Sequence, residues 1–393
     1  MRIDIVNPNH ISMTTTEFNK DRLDYLLALF GMSKDELLSM LNEGRKKLFT
    51  LDELNGDTIQ MSLLKKIDEI FKKGLSFYMD FSPIAISHSS KVLFRKKHFQ
   101  ADLSIEDKRI VDSFESLKVL LDGYRVLTDT ASYEQPLKGS ATITQSPQNV
   151  ADKVRSCLLP EKQIKDHKEF LKGIIKKLAR LNVYVFEFVE TWNKKERASI
   201  DGFYISPNVI VLKRQQSYKR EIFTLAHEIG HYLLGKEEID SLDMAKVEER
   251  RMHNLEERWC NDFAFFLIAG DAVSELDKFD SYSEDVNMMI DHLSSTTRIS
   301  RMAWYTRLAY ERKVPVKYYH AIIRQIEEET EERKLKEKEE KKKEPGVARS
   351  PKPIISPLYM ETMQHAFFNG LVSEAVFAKK LGIPKNQIDK YLC

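Results

Sequence analysis

The sequence predicts an α+β protein, and three segments carry that reading. Val183-Tyr184-Val185-Phe186-Glu187-Phe188-Val189 is rich in aromatic and β-branched residues, as a buried strand is, and Ser199 to Ile205 follows it as an edge strand. Ile222, Leu225, Ala226, Ile229 and Leu233 then fall at i, i+3, i+4, i+7 and i+11, the apolar stripe of an amphipathic helix that Ser217 would cap and Gly235 would end. Leu255 to Leu267 is a second helix, with Leu255, Trp259, Phe263, Phe266 and Leu267 as its core stripe. Strands and helices segregated along this stretch read as α+β.

The first of these helices carries His227-Glu228-Ile229-Gly230-His231. Residues four apart on a helix are offset by about 40° around the axis and roughly 6 Å along it, so both imidazoles can reach one metal ion. Glu228 lies about 100° from His227, poorly placed as a ligand on the same face and well placed to take a proton from a water at the metal. The pattern points to a hydrolytic zinc site. Phe223 and Leu234 flank the histidines, so their face is expected to look into a covered cleft.

Zinc requires at least one more protein donor. Gly three residues and His six residues beyond His231 would supply it locally, but Leu234 and Glu237 stand there. The second helix offers Glu257, which shares a face with Asn261 at i+4, the relation of a ligand to an amide that orients its neighbours. Glu256 and His253 compete with Glu257, and His253 lies one turn before it on a similar face.

The run Phe223-Thr224-Leu225-Ala226-His227-Glu228-Ile229-Gly230-His231-Tyr232-Leu233-Leu234, followed by Glu257-Arg258-Trp259-Cys260-Asn261-Asp262-Phe263-Ala264, resembles the ImmA/IrrE family of zinc metallopeptidases. That resemblance selects Glu257 as third ligand and implies a zincin-like core. Gly202-Phe203 with Val209 to Leu212 is similar to the family's strand pair before the active-site helix. Ile299 to Met302 with Arg307-Leu308 resembles its helix after the site. The family's apolar-Pro exit from the ligand helix is replaced by Ile268-Ala269-Gly270.

A chain of 393 residues with 42% hydrophobic content can bury several cores. Its three cysteines, Cys157, Cys260 and Cys393, are odd in number and far apart, which suits a reducing cytoplasm; Cys260 reads as packing. No signal-peptide pattern opens the sequence. The densest apolar run, Phe263 to Ala269, is far short of the roughly 20 residues that cross a bilayer, so no membrane partner is expected. A net charge of +2 advertises no nucleic-acid partner for the chain as a whole.

Punctuation divides the chain into five parts. Residues 1–85 are helix-rich, with one helix opening at Arg22-Leu23 and another at Gly31-Met32-Ser33-Lys34-Asp35-Glu36-Leu37-Leu38, which resembles the start of an Xre-type helix-turn-helix. Asn42 to Thr50 then lacks the recognition helix of that fold. Up to Pro83 there are 13 acidic against 11 basic residues, so strong DNA binding is not expected, and Lys46 and Lys47 read as a solvated face. Residues 86–149 form a helical linker region with a basic cluster at Phe94 to His98, a helix over Ile105 to Tyr124 and a Ser/Thr/Pro-rich loop from Gly139 to Pro147. The zincin-like core spans 150–320. Residues 321–357 are a mixed-charge helix and a Pro-rich linker, and 358–393 a C-terminal helical module similar to the tail of longer family members.

The family resemblance implies a site-specific endopeptidase with Zn2+ held by His227, His231 and Glu257, Glu228 as catalytic base and Asn261 beside the ligands. Its implied protein substrate is a helix-turn-helix regulator, a repressor or antitoxin, cut in a stress, mobile-element or toxin–antitoxin setting. The alternative is a non-catalytic or DNA-binding regulator that uses the same fold to sense a partner or metal. Glu228 favours the enzyme, because a binding module needs only the two histidines and Glu257. Tyr204, Tyr305 and Tyr310 carry hydroxyls that could steady an oxyanion, but each reads better as a core aromatic.

Overall fold

A computed structural model describes residues 15–84, 103–132, 134–160, 164–189, 198–214, 217–237, 239–240, 255–278, 285–343 and 352–392. The chain divides into two compact units, Met1–Glu115 and Ser116–Cys393.

In the first unit, β1 (Thr15–Glu17) pairs antiparallel with β2 (Thr58–Gln60), and around this ribbon stand α1 (Lys20–Phe30), α2 (Lys34–Asn42), α3 (Leu51–Asn55), α4 (Met61–Phe71) and α5 (Leu75–Tyr78). Leu23, Leu26, Phe30, Leu37, Leu63, Leu64 and Ile67 are buried, the inward faces expected of short amphipathic helices. The Gly31 to Leu38 stretch opens α2 for a local reason. Ser33 Oγ accepts from the Glu36 amide at 3.1 Å while the Ser33 amide donates to Glu36 Oε2 at 2.7 Å, a capping box. After α2 the chain turns instead of forming a long helix. The Asn42 side chain bridges to both main-chain groups of Phe49, at 3.0 and 2.7 Å, and Lys46 and Lys47 are exposed. The basic cluster at Phe94 to His98 lies outside the described residues.

Helix α6 (Ile105–Leu127) begins in the first unit and ends in the second, which continues with α7 (Pro147–Leu158) and α8 (His167–Arg180). Its sheet runs in the order β3-β5-β4-β6, from β3 (Tyr184–Phe188), β4 (Gly202–Ile205), β5 (Val209–Lys213) and β6 (Ile239–Asp240). β3 and β5 are parallel; β4 is antiparallel to both β5 and β6. Every residue of β3 and β4 is buried, because helices and loops cover both faces.

The helices of this unit are α9 (Tyr218–Leu234), α10 (Leu255–Ala269), a 3-10 stretch (Gly270–Lys278), α11 (Asp285–Thr296), α12 (Arg301–Tyr310) and α13 (Val316–Lys343). α9, α10 and α12 share one hydrophobic core with β3, β4, β5, α7 and α8. The mixed-charge run continues α13 as one helix to Lys343, as its Glu and Lys spacings favour. The C-terminal module, α14 (Pro357–Phe368), α15 (Glu374–Leu381) and α16 (Asp389–Leu392), packs beside β3. Tyr184 and Thr362 share a buried hydroxyl contact at 2.8 Å, Tyr359 meets Phe186 edge-on at 5.1 Å, and the Ile354 amide donates to Glu187 Oε2 at 2.7 Å. No described helix is long and apolar enough to cross a membrane.

Two expectations need correction. β4 is not an edge strand, because Ile239 and Asp240 pair with Phe203 and Gly202. Leu255 is not core; it is 69% exposed at the open first turn of α10, whereas Trp259, Phe263, Phe266 and Leu267 are buried as their spacing requires.

Candidate metal centre

The site is built by pressing α9 between the β4–β5 hairpin and α10. Its first turn is tied down by ion pairs from Arg214 to Glu221 and from Arg220 to Asp201, and by Lys219 donating to the Ser294 carbonyl. Ser217 has the extended backbone of an N-cap, but its side chain makes no capping bond. Gly235 ends the helix at φ +66, where a left-handed residue is needed, and the Lys236 amide donates to the His231 carbonyl at 3.0 Å.

Two further terminal carbonyls are met from the Gly139 to Pro147 loop. Gly139 donates to Tyr232 O at 3.2 Å and Ala141 to Leu233 O at 3.0 Å, while Trp259 Nε1 of α10 donates to Gln145 O at 2.8 Å. One loop thus holds both site helices. The exit of α10, where the family has proline, is made by Gly270 at φ +57 and by Arg155, which donates to Phe266 O at 2.7 Å and Leu267 O at 3.2 Å.

Two glycines set the close approaches. A Cβ on Gly230 would stand 3.0 Å from Cys260 Sγ and 3.2 Å from its Cα, so the bare backbone lets α9 and α10 meet one turn from Glu257. A Cβ on Gly202 would stand 2.7 Å from Thr224 Cγ2 and 3.1 Å from Glu228 Oε1, so β4 lies directly against the Glu228 carboxylate. Gly230→Ala gains about 1 kcal/mol of helix propensity but forces two packed helices apart, an overpacking that costs about 1–3 kcal/mol. We expect a net loss of stability and roughly tenfold weaker divalent-metal binding, read by thermal melting and metal titration; unchanged affinity would show that this contact does not set the donor geometry.

His227, His231 and Glu257 converge here, with exposures of 1%, 1% and 8%. The two Nε2 atoms are 3.1 Å apart; Glu257 Oε2 lies 3.2 Å from His227 Nε2 and Oε1 3.1 Å from His231 Nε2. Donors at 2.0–2.1 Å from a common tetrahedral ion stand about 3.3 Å from one another, so the set fits a small divalent cation. Among the described residues it is the group of this kind. Burial pushes the Glu257 carboxyl up, but His227 and His231, by charge and hydrogen bonds, outweigh it and hold the group well below the usual carboxylate range.

Asn261 Oδ1 is 3.1 Å from His227 Nδ1. An amide oxygen there accepts the Nδ1 proton and so leaves the Nε2 lone pair aimed at the centre. Glu228, also buried, stands beside β4 instead of among the three convergent donors. Of the competitors, Glu256 pairs with Lys236 at 3.1 Å, while His253 lies outside the described residues.

Residues 179–308 match the family model of the IrrE N-terminal-like domain, Peptidase_M78. Over this stretch the chain is similar to the ImmA/IrrE metallopeptidase family. The match covers about a third of the 393 residues, from the end of α8 into α12, and contains the three donors, Glu228 and Asn261. No curated protein and no solved structure matches the chain. The matched stretch is zincin-like, a small sheet with the H-E-x-x-H helix packed on it. Of the tyrosines, Tyr204 donates to Pro207 O at 2.8 Å and Tyr305 to Asn287, so both hydroxyls are engaged in the core. The contacts of Gly202 with Glu228 and of Arg155 with the end of α10 escape sequence reading, since nothing near either residue in the chain announces them.

Proposed function

We propose that this chain is a zinc-dependent endopeptidase that cuts a regulatory protein at a selected place. The observation that carries the reading is the buried His227, His231 and Glu257 triad with Glu228 beside it and outside the donor set. Two imidazoles and one carboxylate leave a fourth position open, the donor set of catalytic zinc rather than structural zinc. A zinc ion held there would polarise a scissile carbonyl and bring the pKa of a coordinated water toward about 7. Glu228 then accepts the proton of the attacking water at its carboxylate and returns it to the leaving amine. Asn261 keeps His227 in the tautomer that presents Nε2.

The catalytic core on this reading is 150–320, flanked by a helix-turn-helix-like domain at 1–85, a helical linker region at 86–149, a charged helix and Pro-rich linker at 321–357, and the module at 358–393. The protein works in the cytoplasm, does not grip DNA strongly, and takes its selectivity from the flanking modules. Its substrate is a helix-turn-helix repressor or antitoxin, cut in an interdomain linker or a locally unfolded helix end where main chain is available.

The test is to incubate zinc-loaded protein with helix-turn-helix proteins encoded beside it, with casein as control, and to map products by mass spectrometry. One defined cut in a neighbour, absent with Glu228→Gln, is the expected result. Rapid digestion of casein would indicate a broad protease instead. A partner that binds and is never cut would favour the non-catalytic regulator.

A further inference from the structure

Gly202 brings the main chain of β4 against Glu228: its missing Cβ would meet Glu228 Oε1 at 3.1 Å. Which way that main chain faces follows from its neighbour. The Lys213 amide donates to Asp201 O at 2.7 Å, so Asp201, and by alternation Phe203 and Ile205, turn their main-chain groups toward β5. Gly202 and Tyr204 therefore turn theirs the other way. That outward face is where an extended peptide would pair to bring a scissile bond to Glu228.

The chain already fills it. After the left-handed turn at Gly235, residues run back antiparallel to β4, with Ile239 opposite Phe203 and Asp240 opposite Gly202. The same register brings Glu237 to the start of the ribbon, where its Oε1 accepts from the Ser206 amide at 2.7 Å. We propose that Lys236, Glu237, Ile239 and Asp240 form an autoinhibitory strap that occupies the substrate edge of β4 and is displaced when an extended substrate pairs there. The inference rests on the peptidase reading for its consequence, not for its geometry.

The strap is held weakly enough to yield. Among the described residues its ladder is two residues long, a substrate segment could offer more, and the Lys236–Glu256 pair that steadies its start is solvent-exposed on the lysine side and adds little. Gly202 has the orientation that exchanges both ladder bonds with the residue opposite, so a proline at 240 removes one of them. Glu237→Ala removes the acceptor for Ser206 independently.

The experiment uses the full chain, with Asp240→Pro and Glu237→Ala made separately and each checked for native circular dichroism and metal content. Hydrogen exchange at the Gly202 amide and binding of fluorescein-labelled casein in a Glu228→Gln background are measured first, because neither needs turnover. We expect about tenfold faster exchange and about tenfold tighter casein binding in both variants, with casein cleavage rising in parallel when Glu228 is present. Glu237→Gln, which keeps the accepting oxygen, should behave as the parent does. Exchange unchanged in both variants would overturn the strap, and so would faster exchange with unchanged or weaker casein binding, since β6 would then be part of the sheet's framework. Tighter casein binding with no cut by any variant, either in casein or in the helix-turn-helix proteins encoded beside it, would leave the strap standing and sink the peptidase reading instead.

Discussion

Glu228→Gln should leave fold and metal content unchanged and lower turnover by about 10²–10⁴-fold, the range for losing a positioned general base. The two side chains are nearly isosteric, so the close approach of β4 through Gly202 and Thr224 is preserved. Glutamine offers no site for the water proton, and the loss falls on the chemical step. The signature is therefore a fall in kcat and kcat/KM together with little change in KM, in a protein whose zinc stoichiometry by elemental analysis matches the parent. Parent-like turnover would remove Glu228 from the mechanism. A fall in metal content alongside activity would show that Glu228 holds the ion or its surroundings.

How much of this site was legible beforehand depends on the range of the forces involved. The helix of His227 and His231 could be read from spacing alone, because its stripe, its Gly235 stop and the offset of Glu228 are local properties of one helix. The buried strand at Tyr184–Phe188 was legible for the same reason, its composition suiting a pleated core position. Contacts between segments distant in sequence were not. That Gly230 lies on Cys260 and Gly202 on Glu228 leaves no local trace, since a glycine forced by a neighbour looks like any other. The Gly139 to Pro147 loop read as punctuation, yet its amides close the end of α9. Leu255 fitted the stripe of α10 by periodicity and is exposed because the stripe meets its partner only from Trp259 onward. The edge strand failed for a similar reason: two residues of β6, brought back by the turn at Gly235, are too short a strand for any period to show.

Glu257→Ala tests the long-range contact on which the centre depends. Zinc held by three protein donors loses a charged one, and if binding of about 10–16 kcal/mol is shared among four ligand positions, each contributes roughly 3 kcal/mol, or at least about 10²-fold in affinity. The same substitution removes the negative charge that His227 and His231 face within 3.2 Å, so two imidazoles would have to hold a dication alone. Asn261→Ala should be milder, about 10–100-fold, because it frees the His227 ring to turn without removing a donor. Stability gives a readout independent of activity: a chelator should lower the melting temperature of the parent and leave that of Glu257→Ala unchanged, since a ligand stabilises only the state that binds it. His253→Ala is the decisive control. On the present assignment it keeps full metal, whereas loss of metal there, with Glu257→Ala still loaded, would move the third donor to His253 and leave the pairing of Glu257 with the two histidines a buried ion pair of the core.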